Sequence, residues 1–123
     1  MSYDIKGAIP ILRIFDIEKA REFYLDFLGF EEDWLHQPEE QPTYRQISRD
    51  GLVLHLTEHY ADSVPGVRIF IPTGDIEGFH QELHLKSFKF ANPGLDTVPW
   101  GVEFTVTDPF GNRLTFCKQQ SGE

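Results

Sequence analysis

The chain has 123 residues, 40% hydrophobic and 14% aromatic, with 11 Lys and Arg against 20 Asp and Glu, a net charge of −9. The apolar content excludes disorder, and no apolar run is long enough to suggest a membrane span, so no membrane partner is expected. A pI near 4.9 repels phosphate backbones, which argues against nucleic acid and favours a cation wherever the carboxylates gather around a site. The length suits one domain over residues 1–123. Cys117 stands alone, so no internal disulfide framework is expected. Met1 to Lys6 lacks a basic start followed by an apolar stretch, so the expected location is cytoplasmic.

In chain order, Ala8 to Phe15 is an Ile-rich strand, and Pro10, with no N–H to donate, fits an edge position. Asp16 is placed to cap a helix from Ile17 to Leu28, in which Ala20, Phe23, Tyr24, Phe27 and Leu28 form one apolar face. Gly29 is placed to end it. Strands follow at Phe30 to His36, Thr43 to Ser48 and Leu52 to Thr57, the last two joined across Arg49-Asp50-Gly51 as a hairpin. Residues Ala61 to Gly66 connect to a second series. Val67 to Ile71 is a strand, and Thr73 or Asp75 caps a helix carrying Ile76, Phe79, His80 and Leu83 on one face. Phe88 to Phe90 is a short strand, Asn92 to Pro99 a loop, and Gly101 to Thr107 and Arg113 to Lys118 are strands. Gln119 to Glu123 reads as a frayed tail.

The order repeats. Asp16-Ile17-Glu18 recurs as Asp75-Ile76-Glu77 at an offset of 59, and Gly51 recurs as Gly111 at an offset of 60. Two halves, about 1–62 and 66–123, each read βαβββ, which gives an α+β fold with a curved, mostly antiparallel sheet and helices outside.

His80 and His84 have a helical metal-binding spacing, but the residues between them match no helical zinc motif. No phosphate-binding glycine loop and no nucleophile elbow occurs. Cys117, beside Phe116 in a terminal strand, suits packing better than catalysis. The tryptophans carry more information. Trp34 follows Glu31, Glu32 and Asp33, and Trp100 precedes Glu103. Flat indoles beside carboxylates suit a planar, positively charged ligand.

Ala8-Ile9-Pro10-Ile11-Leu12, Asp16, Glu22-Phe23-Tyr24 and Leu28-Gly29-Phe30 resemble the opening of the vicinal oxygen chelate superfamily, which includes glyoxalase I, extradiol dioxygenases and bleomycin resistance proteins. Pro99-Trp100-Gly101-x-Glu103-Phe104 and Asp108-Pro109-x-Gly111-Asn112 are similar to the bleomycin resistance branch in particular. The resemblance spans nearly the whole chain and implies paired βαβββ modules.

The superfamily's enzymes hold a divalent metal at four sheet positions, which the resemblance places at Ile9, His55, Arg68 and Thr115. Isoleucine cannot ligate, arginine stays protonated and threonine is a poor neutral ligand, so no metal and no cofactor is expected. The resemblance implies a homodimer that sequesters a bleomycin-like drug in grooves between subunits, without catalysis. The same resemblance makes Trp34 and Trp100 the expected stacking rings, Asp33 and Glu103 their expected charged neighbours, and His55 a further expected ligand-binding residue. Pro10 matches the root of an N-terminal arm exchanged between subunits. Two other readings stay open: a metal-dependent lyase, transferase or dioxygenase built on His55 with His59 or Glu103, and a binder of a different metabolite. Gln37 to Tyr44 has no counterpart in the family pattern.

Overall fold

The computed structural model describes residues 2–39, 41–86 and 93–120. Strand β1 (Ile11–Arg13) leads to helix α1 (Ile17–Ala20), which runs on as a π-helical segment (Arg21–Phe27) before β2 (Glu31–His36), β3 (Tyr44–Arg49) and β4 (Leu52–Thr57). The second half repeats the series as β5 (Arg68–Pro72), α2 (Ile76–Leu85), β6 (Asp96–Val98), β7 (Gly101–Thr107) and β8 (Arg113–Gln119). Each half builds a four-stranded sheet, in the orders β1-β4-β3-β2 and β5-β8-β7-β6. In both, the first strand pairs parallel with the fourth and the remaining neighbours are antiparallel. The α+β class and the two βαβββ halves are as the sequence implies, with the strands divided between two mixed sheets.

Local chemistry explains the elements. Asp16 accepts from the Lys19 amide at 3.1 Å and Asp75 from the Gly78 amide at 3.0 Å, the same cap 59 residues apart. Ala20, Phe23, Tyr24, Phe27 and Leu28 are all buried, as their spacing requires. Most of that helix is π-wound, closing with the Leu28 amide on the Phe23 carbonyl at 2.9 Å. Periodicity does not separate the two windings over so short a stretch, because either buries the same side chains. Gly29 ends the helix at φ +77°, where an added Cβ would strike the Arg49 guanidinium.

Three local readings are corrected or bounded. β1 spans Ile11–Arg13 rather than Ala8 to Phe15, and residues 2–10 hold no regular structure. Pro10 still serves the edge, since its carbonyl accepts from the His55 amide at 2.9 Å. The loop expected at Asn92 to Pro99 contains β6, whose Asp96, Thr97 and Val98 pair with Glu103, Val102 and Gly101. Three residues are too few for alternation to reveal. The strand expected at Phe88 to Phe90 lies outside the described residues, as do residues 121–123 of the expected tail, whose Gln119 pairs with Gly101 at the end of β8.

The inner faces of both sheets contribute to one buried cluster, with Leu12, Ile47, Leu54 and Leu56 from the first and Phe104, Val106, Leu114 and Phe116 from the second. Two seams lock the halves together, and each joins a hairpin of one half to the helix of the other. At the first, buried Asp108 accepts from the Tyr24 hydroxyl at 2.6 Å and the Asn112 side-chain amide at 2.9 Å, and also from the backbone amides of Phe110 and Asn112 at 2.9 and 2.8 Å. Burial, with the Asp108 charge adding, holds the Tyr24 phenol well above its ordinary pKa, so it stays a donor.

At the second seam, Arg49 donates both Nη groups to Glu82, at 2.7 and 2.9 Å. Lys86 reaches the Asp26 and Phe27 carbonyls at the end of the π segment, where positive charge complements the helix dipole. The Arg49 hydrogen bonds, aided by the charges of Arg49 and Lys86, hold the Glu82 carboxyl below its ordinary range against a smaller opposing effect of burial. Its contribution to stability is therefore complete above the ordinary carboxylate range and is lost as pH falls through the lowered value. Glu82→Gln should flatten the acid limb of a stability-against-pH curve below about pH 4.5, measured by urea unfolding, modestly because the pair is part-exposed.

Candidate functional site

Alternation sets which side chains leave the core. On the first sheet, Ile11 and His55 are paired neighbours, His55 faces Gln46, and Gln46 faces Trp34, all turned away from the buried cluster. A register shift between Glu32 and Trp34 sends both Asp33 and Trp34 to this open face, as a β-bulge does. Trp34, 43% exposed, stacks on Tyr44 at 6.0 Å with an 11° interplanar angle, and meets His55 edge-on at 5.4 Å.

A hydrogen-bonded row runs beneath the indole. The Tyr44 hydroxyl lies 2.7 Å from His55 Nδ1, and His55 Nε2 lies 3.0 Å from Gln46 Oε1. Gln46 Nε2 donates to Asp33 at 3.1 Å, and the Ser48 hydroxyl donates to the other Asp33 oxygen at 2.9 Å. This fixes a direction. The Asp33 carboxylate accepts only, so it turns the Gln46 amide nitrogen toward itself and the oxygen toward His55. His55 then carries its proton on Nε2 and accepts from Tyr44 on Nδ1. Burial, with a smaller effect of the Asp62 charge, raises the Tyr44 pKa and keeps that phenol a donor.

The second sheet repeats the geometry with other chemistry. Thr115 and Thr105 stand where His55 and Gln46 stand in the first half, their hydroxyls 2.8 Å apart, and Arg68 Nε donates to Thr115 at 3.1 Å. Trp100, 52% exposed, donates its indole N–H to Glu103 at 2.9 Å. The other Glu103 oxygen lies 4.0 Å from the Arg68 guanidinium. Arg68, Phe70, Trp100 and Gln119 line a shallow cavity of about 440 Å³.

The five residues expected at the site thus fall into two groups. Trp34, Asp33 and His55 belong to one network, and Trp100 and Glu103 to another. Among the described residues, no hydrogen bond or ring contact joins the groups within one chain. Glu103 is a holder of Trp100, with a cation already beside it, whereas Asp33 is exposed and bonded only to neutral donors, Gln46 and Ser48.

The metal positions do not fit a metal. Ile9 has no donor atom, Arg68 brings a fixed cation against Thr115, and both His55 nitrogens are engaged. Among the described residues, no three His, Cys, Asp or Glu side chains cluster as ligands. His59 stacks on Tyr60 and accepts from the Ala61 amide, apart from His55. His80 bonds the Pro93 carbonyl at 2.6 Å and stacks on His84. Cys117 is buried, and burial, with Glu103 adding, raises its thiol pKa away from reactivity.

Sequence reading missed Gln46 and Ser48, and it marked Tyr44 only as the end of the Gln37 to Tyr44 segment expected to line part of the groove. The signal was present: a two-residue Asp50–Gly51 loop pairs Arg49 with Leu52, and counting back places Gln46 opposite His55.

The molecule is a duplicated βαβββ protein whose aromatic and polar side chains gather on two open sheet faces. It belongs to the glyoxalase superfamily: the family described as "Glyoxalase superfamily protein" matches residues 3–123. A bleomycin-binding protein from bleomycin-producing Streptomyces verticillus, solved with copper(II)-bleomycin, is 26% identical with a TM-score of 0.69, covering 97% of this chain and 100% of that one. TnmS3, an antibiotic binding protein from Streptomyces sp. CB03234, superimposes with a TM-score of 0.71 at 20% identity over 97% of this chain and 100% of its own. The bleomycin resistance determinant encoded on transposon Tn5 gives 0.73 at 18% identity over 94% and 99%. At their identities the last two establish the fold. No curated protein matches the sequence.

Proposed function

We propose that this chain is a non-enzymatic binding protein that sequesters a bleomycin-like, cationic and aromatic antibiotic. The groove forms when two copies pair, so that the Trp34 face of one opposes the Trp100 face of the other. The observation that carries this reading is the pair of half-exposed indoles, each fixed by its own neighbours before any ligand arrives. Trp34 rests on Tyr44, and Trp100 is tethered to Glu103. Pre-set rings lose little freedom on binding, so stacking contributes nearly in full.

Charge orients the ligand. Arg68 offsets Glu103 on the second face, so the drug's cationic end belongs beside Asp33. The net charge of −9 adds long-range attraction that salt should weaken. The likeness to the Streptomyces verticillus protein supports the ligand class. Residues 2–9 are exposed, including Tyr3, Ile5 and Ile9, and suit an arm crossing from the Pro10 edge to the partner copy.

Titration with metal-free bleomycin, followed by tryptophan emission, tests the reading alongside sedimentation. The expected result is saturable quenching and a mass twice 14.2 kDa. Unchanged emission and a species of single-chain mass would overturn it.

A further inference from the structure

The two seams between the halves are built alike but filled differently. In the first, Phe15, just ahead of the Asp16 cap, meets Phe110 of the β7–β8 loop with ring centroids 5.9 Å apart, and Arg13 lies 4.5 Å over the Phe15 ring. In the second, the residue ahead of the Asp75 cap is Gly74. The corresponding β3–β4 loop is Asp50–Gly51, one residue shorter than Pro109–Gly111 and without a ring. Both aromatic fillers are absent, and a cleft of about 700 Å³ opens there, within the usual range for small-molecule sites.

We propose that this cleft is a ligand site for a small aromatic cation, separate from the Trp34 and Trp100 faces. Its floor is apolar, with Phe30, Leu52, Phe79 and Phe116. At its rim, among the described residues that line it, the carboxylates Asp50, Asp75 and Glu82 stand against one cation, Arg49, and Lys86 lies 3.8 Å from Glu82 outside the lining. Arg49 is spoken for: it donates twice to Glu82 and lies 4.9 Å over Phe79, so it serves as wall rather than filling. The first seam shows what such a space accepts, since its own occupants are two benzyl rings with a guanidinium over one. A ligand combining a flat ring with a positive charge meets the same floor and the acidic rim.

Methyl NMR with naphthylmethylammonium as the probe tests the site, because Leu52 and Ile71 line the cleft and lie away from both tryptophans. Saturable shifts at those methyls are expected, with weaker binding of the anionic naphthoate. Gly74→Phe should raise the Kd at least tenfold. It should also keep or raise Tm, since a Cβ at Gly74 meets nothing within 4 Å and the backbone there needs no positive φ. Asp50→Asn should weaken the cation severalfold and, by removing a repelling charge, strengthen naphthoate rather than weaken it. The proposal is overturned if the probe leaves Leu52 and Ile71 unshifted or Gly74→Phe binds it as tightly as the native chain. It is also overturned if those methyls shift with rising protein concentration alone, which would assign the cleft to a second copy. None of these outcomes depends on bleomycin binding.

Discussion

Asp108→Ala is expected to lower the free energy of unfolding by roughly 3–5 kcal/mol, the largest single-residue effect in the structure outside the aromatic core. The carboxylate is buried and receives four hydrogen bonds, two from backbone amides and two from side chains. Removing it strands the Tyr24 hydroxyl in the core and releases Asn112, which also donates to the Arg13 carbonyl and accepts from the Gly66 and Val67 amides. One substitution therefore loosens the first seam, the β7–β8 turn and the connector between the halves together. Tyr24→Phe, which removes one of the four donors, should cost about 1.5–3 kcal/mol. Urea unfolding measures both. A loss under about 1 kcal/mol for Asp108→Ala would mean that the seam is not where the halves are held.

Trp100→Ala and Trp34→Ala should each weaken bleomycin binding by about 30-fold or more, the signature of an aromatic anchor losing at least ~2 kcal/mol. Both rings are half-exposed, so stability should change by only about 0.5 kcal/mol. Glu103 separates two roles. If it positions Trp100 through the 2.9 Å hydrogen bond, Glu103→Gln keeps an acceptor and retains most affinity, while Glu103→Leu loses it. If it acted as a free anion, both substitutions would be equally harmful. Asp33→Asn should reduce the salt dependence of binding, because it removes an exposed carboxylate whose hydrogen-bond partners are neutral. Calorimetry across these variants at two salt concentrations reads all of these effects.

Much of the architecture was legible because it rests on local rules. Asp16 and Asp75 mark helix starts by capping chemistry, and the 59- and 60-residue offsets reveal the duplication. Alternation in Leu52 to Thr57 puts His55 on the open face. What escaped depended on contacts distant in sequence or on backbone detail. The π winding buries the same residues as an α-helix would. The bulge that brings Asp33 and Trp34 to one face leaves no trace in composition. Arg45 is 2% exposed and bonded to Glu32 and Thr43, two residues before buried Ile47 on the same face of the strand, and its partners come from other positions that its own sequence context does not mark. The candidate site was found by residue type, but its wiring was not: Glu103 lay near Trp100 in sequence, while the Arg68 beside it comes from another strand.

The most direct test of sequestration is isothermal titration of the native chain with metal-free bleomycin, at a concentration where sedimentation shows dimer. Saturable heat at one drug per chain, abolished in the Trp34→Ala/Trp100→Ala double variant, is the expected result. No heat of binding, or heat unchanged in that variant, would contradict the account.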